Sequence, residues 1–199
     1  MTTRFLLVRH ATCALTERIL LGRALDPPLD ARGRAQARAL AKQLRGEKPA
    51  SIECSPRKRT RQTAHTIAAA LHVEVHIAAE LDELDFGVWA GRTFVELEND
   101  PGWREWNRAR AHARTPGGFG IAGVQAALLA YLTRLADAHP DASLLLVTHA
   151  EIVRAALMHA LHAPVDHWAL YEVAPASIVR LSFAGGVLTA CAPSEAAAA

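Results

Sequence analysis

The chain has 199 residues, of which 51% are hydrophobic, and its 22 basic and 20 acidic residues leave a net charge of +2 with neutral histidines. This length and composition favour one globular domain with a sizeable core, which we expect over residues 1–192, with a frayed tail at 193–199. The balanced charge argues against a nucleic-acid partner or a membrane surface, so any anion binding must be local.

The cysteines and the apolar segments indicate a cellular compartment. Cys13, Cys54 and Cys191 are odd in number and lack metal-ligand spacing, so neither a disulfide framework nor a zinc site is indicated. No segment reaches the roughly 18 apolar residues of a membrane span, and the N-terminal apolar run is too short for a signal peptide. The sequence therefore predicts a cytoplasmic protein without a metal.

Predicted strands and helices alternate along the first half of the chain. Short, continuous apolar runs are typical of strands buried on both faces, and apolar residues at helical spacing indicate amphipathic helices. The predicted elements are a strand at 4–8, a helix between Asp30 as N-cap and Gly46, a strand at 51–54, a helix from Ser55 as N-cap and Pro56 to about Leu71, and an edge strand at 73–77.

The second half continues this alternation after one exception. Residues 82–120 are rich in glycine and proline and hold three of the four tryptophans, so we expect a small helical lid inserted over one edge of the sheet. The elements that follow are a long helix through Val124, Leu128, Tyr131 and Leu135, a buried strand at 144–147, a helix at 151–161, and a hairpin of strands 177–181 and 187–190 joined through Gly185 and Gly186.

This order of elements predicts the fold class. Apolar strands alternating with helices favour an α/β domain of three layers, α/β/α, whose mostly parallel central sheet carries helices on both faces. In an open sheet of this kind, ligands bind beyond the carboxyl ends of the strands. Reactive side chains are therefore expected at those ends.

Basic side chains stand where three predicted elements begin or end. Arg9 and His10 end the first strand, Arg59 lies in the first turns of the helix after residue 55, and His149 ends the 144–147 strand. If these strands are neighbours, the four side chains form an anion pocket. Arginine binds phosphate through two parallel hydrogen bonds, and a histidine kept neutral by positive neighbours is a competent nucleophile. With a carboxylic acid nearby, this set could transfer a phosphoryl group in two steps without a metal.

Ordered blocks across the chain resemble those of a known family. They are Leu7-Val8-Arg9-His10, residues 22–29 with Gly33 and Gln36-Ala37, residues 55–64, residues 81–91, and Val147-Thr148-His149 followed by Arg154. Together they resemble the histidine phosphatase superfamily, also called the phosphoglycerate mutase-like family, over nearly the whole chain. The resemblance is greatest to the branch with broad-specificity and α-ribazole phosphatases.

The resemblance implies a role for each site residue. His10 would be the nucleophile, and Glu83 the proton donor and then the base for water. Arg9, Arg59 and His149 would hold the phosphoryl oxygens. No cofactor is implied, and the substrate contacts would be Thr16, Gly22, Arg23 and Ala150.

The sequence departs from the family pattern close to the predicted phosphate pocket. Ala11 and Ala150 stand where glycine usually follows the two histidines, and alanine would strain a loop that required a positive φ. The pair Thr12-Cys13 replaces a common Glu-Thr pair, and Thr16 replaces a phosphate-contacting asparagine. Residues 116–120 lack the glutamate of a usual glycine-glutamate-serine segment.

Several residues allow two interpretations. Asp82 and Asp85 compete with Glu83 as the acid, but we expect them on a solvated loop face. Cys13 lies three residues after His10, and we expect it to pack in the interior rather than act as a nucleophile. The tryptophans of the predicted lid could stack on a substrate ring or pack the lid against the body, and we favour packing; they are Trp89, Trp103 and Trp106.

The sequence thus predicts a phosphatase that hydrolyses small phosphorylated metabolites through a phosphohistidine on His10. A phosphoglycerate mutase-type phosphotransferase is the alternative enzyme. A binding protein without turnover is the alternative outside catalysis, supported by Ala11 and Ala150. A homodimer is common in the family and is compatible with this sequence.

Overall fold

A six-stranded sheet runs through the protein, whose computed structural model describes residues 1–191. Its strands are β1 (Thr2–Arg9), β2 (Ser51–Cys54), β3 (Val75–Ile77), β4 (Ser143–Thr148), β5 (Ile178–Ala184) and β6 (Val187–Ala190). Their order is β3-β2-β4-β1-β5-β6; the first four are parallel, whereas β5 and β6 are antiparallel to their neighbours. The predicted mostly parallel sheet, the edge position of β3 and the terminal hairpin are confirmed. The tail predicted at 193–199 lies outside the described residues.

Helices flank the sheet on both faces, as predicted. They are α1 (Ala31–Gln43), α2 (Lys58–Leu71), α3 (Phe94–Glu98), α4 (Pro101–Arg108), α5 (Ile121–Ala138) and α6 (Ala150–Ala160). A short 3-10 helix, Leu44–Gly46, follows α1, so the predicted end at Gly46 includes this extra turn. Among the residues that the structure describes, no helix is both long and apolar enough to cross a membrane.

The side chains of β1 show how the two faces are filled. Phe5 and Leu7 are fully buried in one apolar cluster that also contains residues of α5 and α6. Leu6 and Val8 point the other way and pack in a second cluster with residues of α1 and α2. Because successive strand residues face opposite sides, a strand covered on both sides must be apolar at every position. The continuous apolar run in the sequence has this physical origin.

The start of α1 is fixed against the loop that follows β1. Asp30 is the N-cap, as predicted, and its side chain accepts a hydrogen bond from the backbone N–H of Gly33 at 2.6 Å. A Cβ atom on Gly33 would lie 1.9 Å from the carbonyl oxygen of Thr12. The helix can approach the loop this closely only because residue 33 has no side chain.

The predicted N-cap of α2 is wrong. The helix begins at Lys58, and Arg57 is its cap residue without a side-chain cap bond. The Ser55 hydroxyl lies 2.8 Å from a ring nitrogen of His149 instead, so it is used elsewhere. Asp26, from a distant loop, accepts the hydrogen bond of the Lys58 N–H at 2.7 Å and replaces the local cap.

Residues 82–120 are helical in part and carry α3 and α4. Trp89 and Trp106 are buried in the core, and Trp103 packs edge-on against Trp89 with 5.4 Å between ring centroids. The packing role predicted for the tryptophans is therefore confirmed for Trp89 and Trp106. Trp103 differs, because it also faces the cavity described below.

Candidate active site

The carboxyl ends of the central strands bring the predicted site residues together. Strands β1 and β4 are parallel neighbours with Arg9 opposite Thr148, so His10 and His149 follow at the same edge. Their rings are 5.3 Å apart between centroids. Arg59, at the start of α2, lies with Nη2 at 3.2 Å from Nδ1 of His149. The convergence predicted from the strand ends is confirmed.

His10 is held as a neutral ring with one free nitrogen. Its side chain is buried, and Nδ1 lies 2.8 Å from the backbone oxygen of Ala11. A carbonyl oxygen only accepts, so Nδ1 carries the proton and Nε2 keeps its lone pair. Burial, followed by the charges of Arg59 and Arg9, lowers the pKa of His10 to about 3. The Nε2 atom is therefore available as a nucleophile at neutral pH.

Two arginines, Arg59 fully buried and Arg9 half-buried, make the surroundings of His10 cationic. Arg59 donates to the backbone oxygens of Gly22 at 3.0 Å and Leu25 at 3.1 Å, and Arg9 donates to that of Val173 at 2.7 Å. These acceptors are neutral carbonyls, which do not cancel the charge they fix; Arg59 Nη1 also lies 3.7 Å from Oδ1 of Asp26, which offsets part of its charge. Among the described residues, Nε of each arginine has no hydrogen-bond partner. Such a pair suits a phosphoryl group, which offers both charge and acceptors.

Glu83 provides a carboxyl group whose pKa lies near neutrality. Its side chain is 12% exposed, and Oε2 lies 3.6 Å from Nδ1 of His149. Burial raises the pKa of Glu83 to about 7, against the opposing charge of Arg59 and with a further increase from the charge of Glu151. A carboxylic acid of this pKa can give a proton to a leaving oxygen and later take one from water.

His149 is held from behind by a chain of buried polar groups. Its Nε2 lies 2.8 Å from the Ser55 hydroxyl, which donates to Oδ1 of Asp82 at 3.2 Å. Because Arg59 can only donate to Nδ1 of His149, the ring proton lies on Nε2 and points to Ser55. His149 does not line the cavity itself but contacts Arg59 and Glu83, which do.

The solvated position predicted for Asp82 is wrong. Arg57 binds the Asp82 carboxylate with two nitrogens, Nε at 2.7 Å from Oδ1 and Nη2 to Oδ2, and the side chain is buried. Burial raises the pKa of Asp82, but the hydrogen bonds from Arg57 and the Glu83 N–H, together with the charges of Arg57 and Arg23, outweigh it and leave the pKa below its usual value. The sequence did not indicate this role, because an aspartate in a loop cannot be distinguished from a solvated one until its partner is known. Asp85 is half-buried, and its carboxylate accepts the Gly87 N–H at 2.9 Å.

A cavity of about 540 Å³ opens on the site. Arg9, His10, Arg59 and Glu83 line it, as do three of the four predicted substrate contacts, Thr16, Gly22 and Ala150. Apolar and aromatic side chains form much of the remaining wall, namely Ile19, Leu20, Leu21, Phe86, Phe94, Trp103 and Trp168.

Arg23, the fourth predicted substrate contact, does not line this cavity. Its Nε donates to the backbone oxygen of Glu83 at 2.5 Å, and its guanidinium lies over the Phe119 ring at 4.9 Å. The side chain thus holds the segment that carries Glu83. The sequence block around residue 22 did not distinguish this supporting position from direct contact.

The two alanines that replace family glycines fit without strain. Neither Ala11 nor Ala150 has a positive φ. Ala11 is fully buried, and its N–H donates to the Thr63 hydroxyl at 3.1 Å. The loop strain that alanine would cause at a positive φ does not arise here. Cys13 is buried, as predicted, with Sγ at 3.0 Å from the Thr16 hydroxyl.

Several residues on the cavity wall were missed by the sequence analysis, and three of these contact one another. They are Arg110, Glu151 and Trp168. Only Glu151 gave a local signal, because it directly follows Ala150 at the start of α6. Arg110 lies in a turn after α4 and Trp168 in the short 3-10 helix Val165–Leu170, and nothing in the sequence indicates which wall these segments meet. Within residues 1–191, no group of three or more His, Cys, Asp or Glu side chains is placed to hold a metal ion.

Comparison with known proteins assigns this site to a family. Residues 5–191 match the model of the histidine phosphatase superfamily, branch 1. The chain belongs to this superfamily. The match confirms the resemblance carried by the blocks around His10, Arg59 and His149.

Curated relatives and solved structures identify the kind of enzyme. The chain is 34% identical to phosphoserine phosphatase 1 of Hydrogenobacter thermophilus over 157 residues, which cover 76% of this chain and 73% of that protein. It is 27% identical to the adenosylcobalamin/α-ribazole phosphatase of Escherichia coli, with 82% and 81% covered. The native structure of a mycobacterial glucosyl-3-phosphoglycerate phosphatase superposes with a TM-score of 0.81 at 27% identity, covering 92% and 91%. The chain is a phosphomonoester hydrolase of this superfamily.

Proposed function

We propose that the protein hydrolyses small phosphorylated metabolites, with His10 as the covalent nucleophile. The observation that carries this proposal is the hydrogen bond from Nδ1 of His10 to the Ala11 oxygen inside a buried, cationic pocket. It leaves the Nε2 lone pair free to attack phosphorus.

In the first step, Nε2 of His10 forms a bond to phosphorus while the bond from phosphorus to the ester oxygen breaks. Glu83 gives its proton to that oxygen, so the alcohol leaves neutral. In the second step, Glu83 takes a proton from water, the water oxygen bonds to phosphorus, and the bond to Nε2 breaks. The products are the alcohol and inorganic phosphate, and both residues return to their starting state.

Arg9 and Arg59 hold the phosphoryl oxygens through both steps. Their guanidinium groups are fixed by backbone carbonyls, so little reorganisation is needed as charge moves onto the equatorial oxygens. His149 lies next to Arg59, and negative charge on a bound phosphoryl group raises its pKa toward the protonated form. It then adds a third positive group.

The class of substrate follows the site and the relatives. A phosphorylated small molecule fits a cavity of about 540 Å³, and the Hydrogenobacter relative is named for phosphoserine. A cytoplasmic location and a homodimer stay predictions of the sequence.

The proposal is tested with a panel of phosphomonoesters that includes p-nitrophenyl phosphate, without added metal. We expect His10→Ala to lose at least about three orders of magnitude in kcat/KM, because no other nucleophile occupies its place. His65→Ala is the matched control, since His65 is exposed on α2. Near-normal hydrolysis by folded His10→Ala would refute the mechanism. Transfer of the phosphoryl group to an added hydroxy acid instead of water would favour the mutase alternative.

A further inference from the structure

The positive charge of the protein is concentrated in one stretch of the chain. Residues 31–73 contain ten basic and only two acidic residues, a net charge of +8, whereas the rest of the chain holds 12 basic and 18 acidic residues, a net charge of −6. The balanced total, which argues against a nucleic-acid partner, conceals this separation. Because residues 31–73 include α1 and α2, the positive charge belongs to one layer of the fold.

The helices α1 and α2 present this charge on one side of the molecule. They pack beside each other on the same face of the sheet, and their buried residues share one apolar cluster. Six exposed cations of these helices and of the turn after α1 form what we call the basic face: Arg34, Arg38, Lys42, Arg45, Lys58 and Arg61. None of the six lines the cavity that holds His10, so the basic face is separate from the site of phosphoryl transfer.

The basic face is not neutralised by the protein itself. Among the described residues, no carboxylate oxygen lies within 4 Å of its six cations, although an exposed arginine elsewhere, Arg108, does pair with Glu105. Arg34, Arg38 and Lys42 follow at intervals of four residues, and like charges at this spacing repel each other on a helix. Neither helix has an acidic residue in its first turn, where the helix dipole favours one. These charges therefore destabilise the protein alone, and a partner of opposite charge removes the repulsion.

The cations of α1 form an extended row. Residues four apart on an α-helix lie on the same side, about 6 Å from one to the next along the axis. Arg34, Arg38 and Lys42 therefore follow one flank of α1, and Arg45 in the next turn continues the row. This step is close to the separation of successive phosphates along a nucleic-acid strand. An extended row of this kind matches a linear polyanion better than a flat lipid surface or a single small anion.

The side chains of the two helices favour contact with the backbone of a duplex. Four of the six cations are arginines, whose planar forks bind phosphate oxygens through two hydrogen bonds. Neither α1 nor α2 contains phenylalanine, tyrosine or tryptophan, on which single-stranded bases stack. Neither exposes a large apolar side chain that could enter a lipid layer. The basic face therefore offers charge alone, which is how duplex nucleic acid is bound independently of sequence.

We propose that the basic face binds the sugar-phosphate backbone of double-stranded nucleic acid without reading its sequence. The inference goes beyond the proposed function and does not depend on it, because the six cations take no part in phosphoryl transfer. Since the basic face and the cavity share no residue, the protein can hydrolyse a small substrate while it is bound to the duplex.

The test measures binding of the full chain to fluorescein-labelled duplexes of about 20 base pairs, one of DNA and one of RNA, by fluorescence anisotropy. The duplexes carry no terminal phosphate, and vanadate is added to occupy the catalytic pocket. We expect at least one duplex to bind, with an association constant that falls at least about a hundredfold between about 50 and 200 mM salt, because each neutralised phosphate releases a counterion. Binding to neither duplex at the lower salt concentration would overturn the proposal.

A triple variant locates the contact on α1. Arg34→Gln, Arg38→Gln and Lys42→Gln together remove three charges from the row. We expect the association constant to fall at least about tenfold at the lower salt concentration, and the slope of its logarithm against that of the salt concentration to become shallower by about 2–3. Glutamine favours helices and ends the repulsion along α1, so the variant should fold and hydrolyse p-nitrophenyl phosphate at the wild-type rate.

The matched control removes three exposed arginines from other parts of the surface and changes the net charge by the same amount. It combines Arg104→Gln, Arg108→Gln and Arg134→Gln. Its association constant for the duplex should stay within about twofold of that of the wild type. Equal losses in the two triple variants would show that binding follows only the net charge and would overturn the proposal.

Other polyanions decide between classes of partner. Vesicles that contain phosphatidylglycerol are tested by cosedimentation, and polyglutamate is tested as a competitor of the bound duplex. Binding to the vesicles without binding to a duplex would assign the basic face to a lipid surface and overturn the proposal. Polyglutamate that competes as well as unlabelled duplex of equal charge would indicate an acidic protein instead and would also overturn it. Duplex binding by a protein without phosphatase activity would support the basic face and contradict only the proposed function.

Discussion

At His10, the backbone and the charged neighbours favour the same protonation state. The Ala11 oxygen places the single proton on Nδ1, while burial and the nearby arginines oppose a second proton on Nε2. The pKa of Glu83 is shifted in the other direction, upward, because burial favours the neutral form of its carboxyl group. A neutral base and a carboxyl group that is still partly protonated therefore line the same cavity near neutral pH, as two-step phosphoryl transfer requires.

The rate should follow these two groups as the pH changes. Glu83 must be protonated for the first step, so we expect kcat/KM for an alkyl phosphate to fall as the pH rises through about 7. On the acid side, His10 stays neutral until the pH approaches about 3. A pH profile of the wild type is compared with that of Glu83→Gln, which should be slower and lack the fall attributed to Glu83. An alkaline fall that persists unchanged in the variant would assign it to another group.

Ser55 should matter more to kcat than to KM. Ser55→Ala removes the hydroxyl between His149 and Asp82 and leaves buried polar groups unpaired, so His149 loses its fixed tautomer. We expect kcat to fall by about ten- to a hundredfold with a smaller change in KM, measured by steady-state kinetics. Ser51→Ala is the control, because Ser51 begins β2, the strand that ends just before Ser55, and its hydroxyl donates to Glu53. Equal losses in both variants would indicate only a packing effect.

The sequence predicted the residues that converge at the site better than those that hold them in place. His10, Arg59 and His149 stand at strand ends or helix starts, and the parallel sheet alone brings them together. Ser55 and Asp82 act through side-chain pairs across the fold. Local sequence patterns instead favoured a helix cap for Ser55 and a solvated loop position for Asp82.

At the scale of elements, α1 depends on a contact that its own sequence does not indicate. The cap at Asp30 was predictable, because capping is a local interaction. The need for glycine at position 33 arises from the Thr12 carbonyl, which lies on the loop after His10. The start of α2 shows the same limit, since Asp26 rather than Ser55 accepts from its first N–H.

Gly33→Ala should destabilise the protein although alanine favours helices. A Cβ atom 1.9 Å from the Thr12 oxygen forces the helix and the loop apart, and we expect a loss of at least about 2 kcal/mol in the free energy of unfolding. Gly123→Ala is the matched control, because nothing lies within 4 Å of its added Cβ on α5. That change should stabilise by about 0.5–1 kcal/mol. Urea unfolding of both variants measures the difference, and similar changes in both would contradict the contact.

At the scale of the whole molecule, the sheet positions the site, and the site lowers the free energy of unfolding. Continuous apolar runs predicted β1 and β4 and their place between two helical layers, because burial on both faces leaves no other pattern. The same burial keeps His10, Glu83 and Arg59 away from water. Burial disfavours the charged forms of His10 and Glu83 and leaves Nε of Arg59 without a partner among the described residues. These features lower the stability of the folded state but suit catalysis.

Glu83 should make the stability of the protein depend on pH. Its pKa is about 7 in the folded protein and near the ordinary 4.5 when unfolded, so the folded state binds the proton more tightly. The free energy of unfolding should therefore decrease as the pH rises from about 4.5 to about 7. Glu83→Gln should lack this decrease. The difference in free energy of unfolding, variant minus wild type, should therefore be larger at pH 8 than at pH 4 by on the order of 2 kcal/mol. Urea unfolding at both pH values measures this difference. Equal changes in the free energy of unfolding of the wild type and Glu83→Gln would contradict the burial of the Glu83 carboxyl group.

The central claim is that the phosphoryl group passes through Nε2 of His10, and trapping that intermediate tests it most directly. The enzyme is mixed with a phosphomonoester, quenched in alkali within milliseconds, digested and examined by mass spectrometry. We expect a phosphoryl group on the peptide that contains His10, stable to alkali and labile to acid, with more of it in Glu83→Gln when the ester has a good leaving group. Hydrolysis at a normal rate with no phosphorylated His10 peptide, or with the label on another residue, would contradict the account.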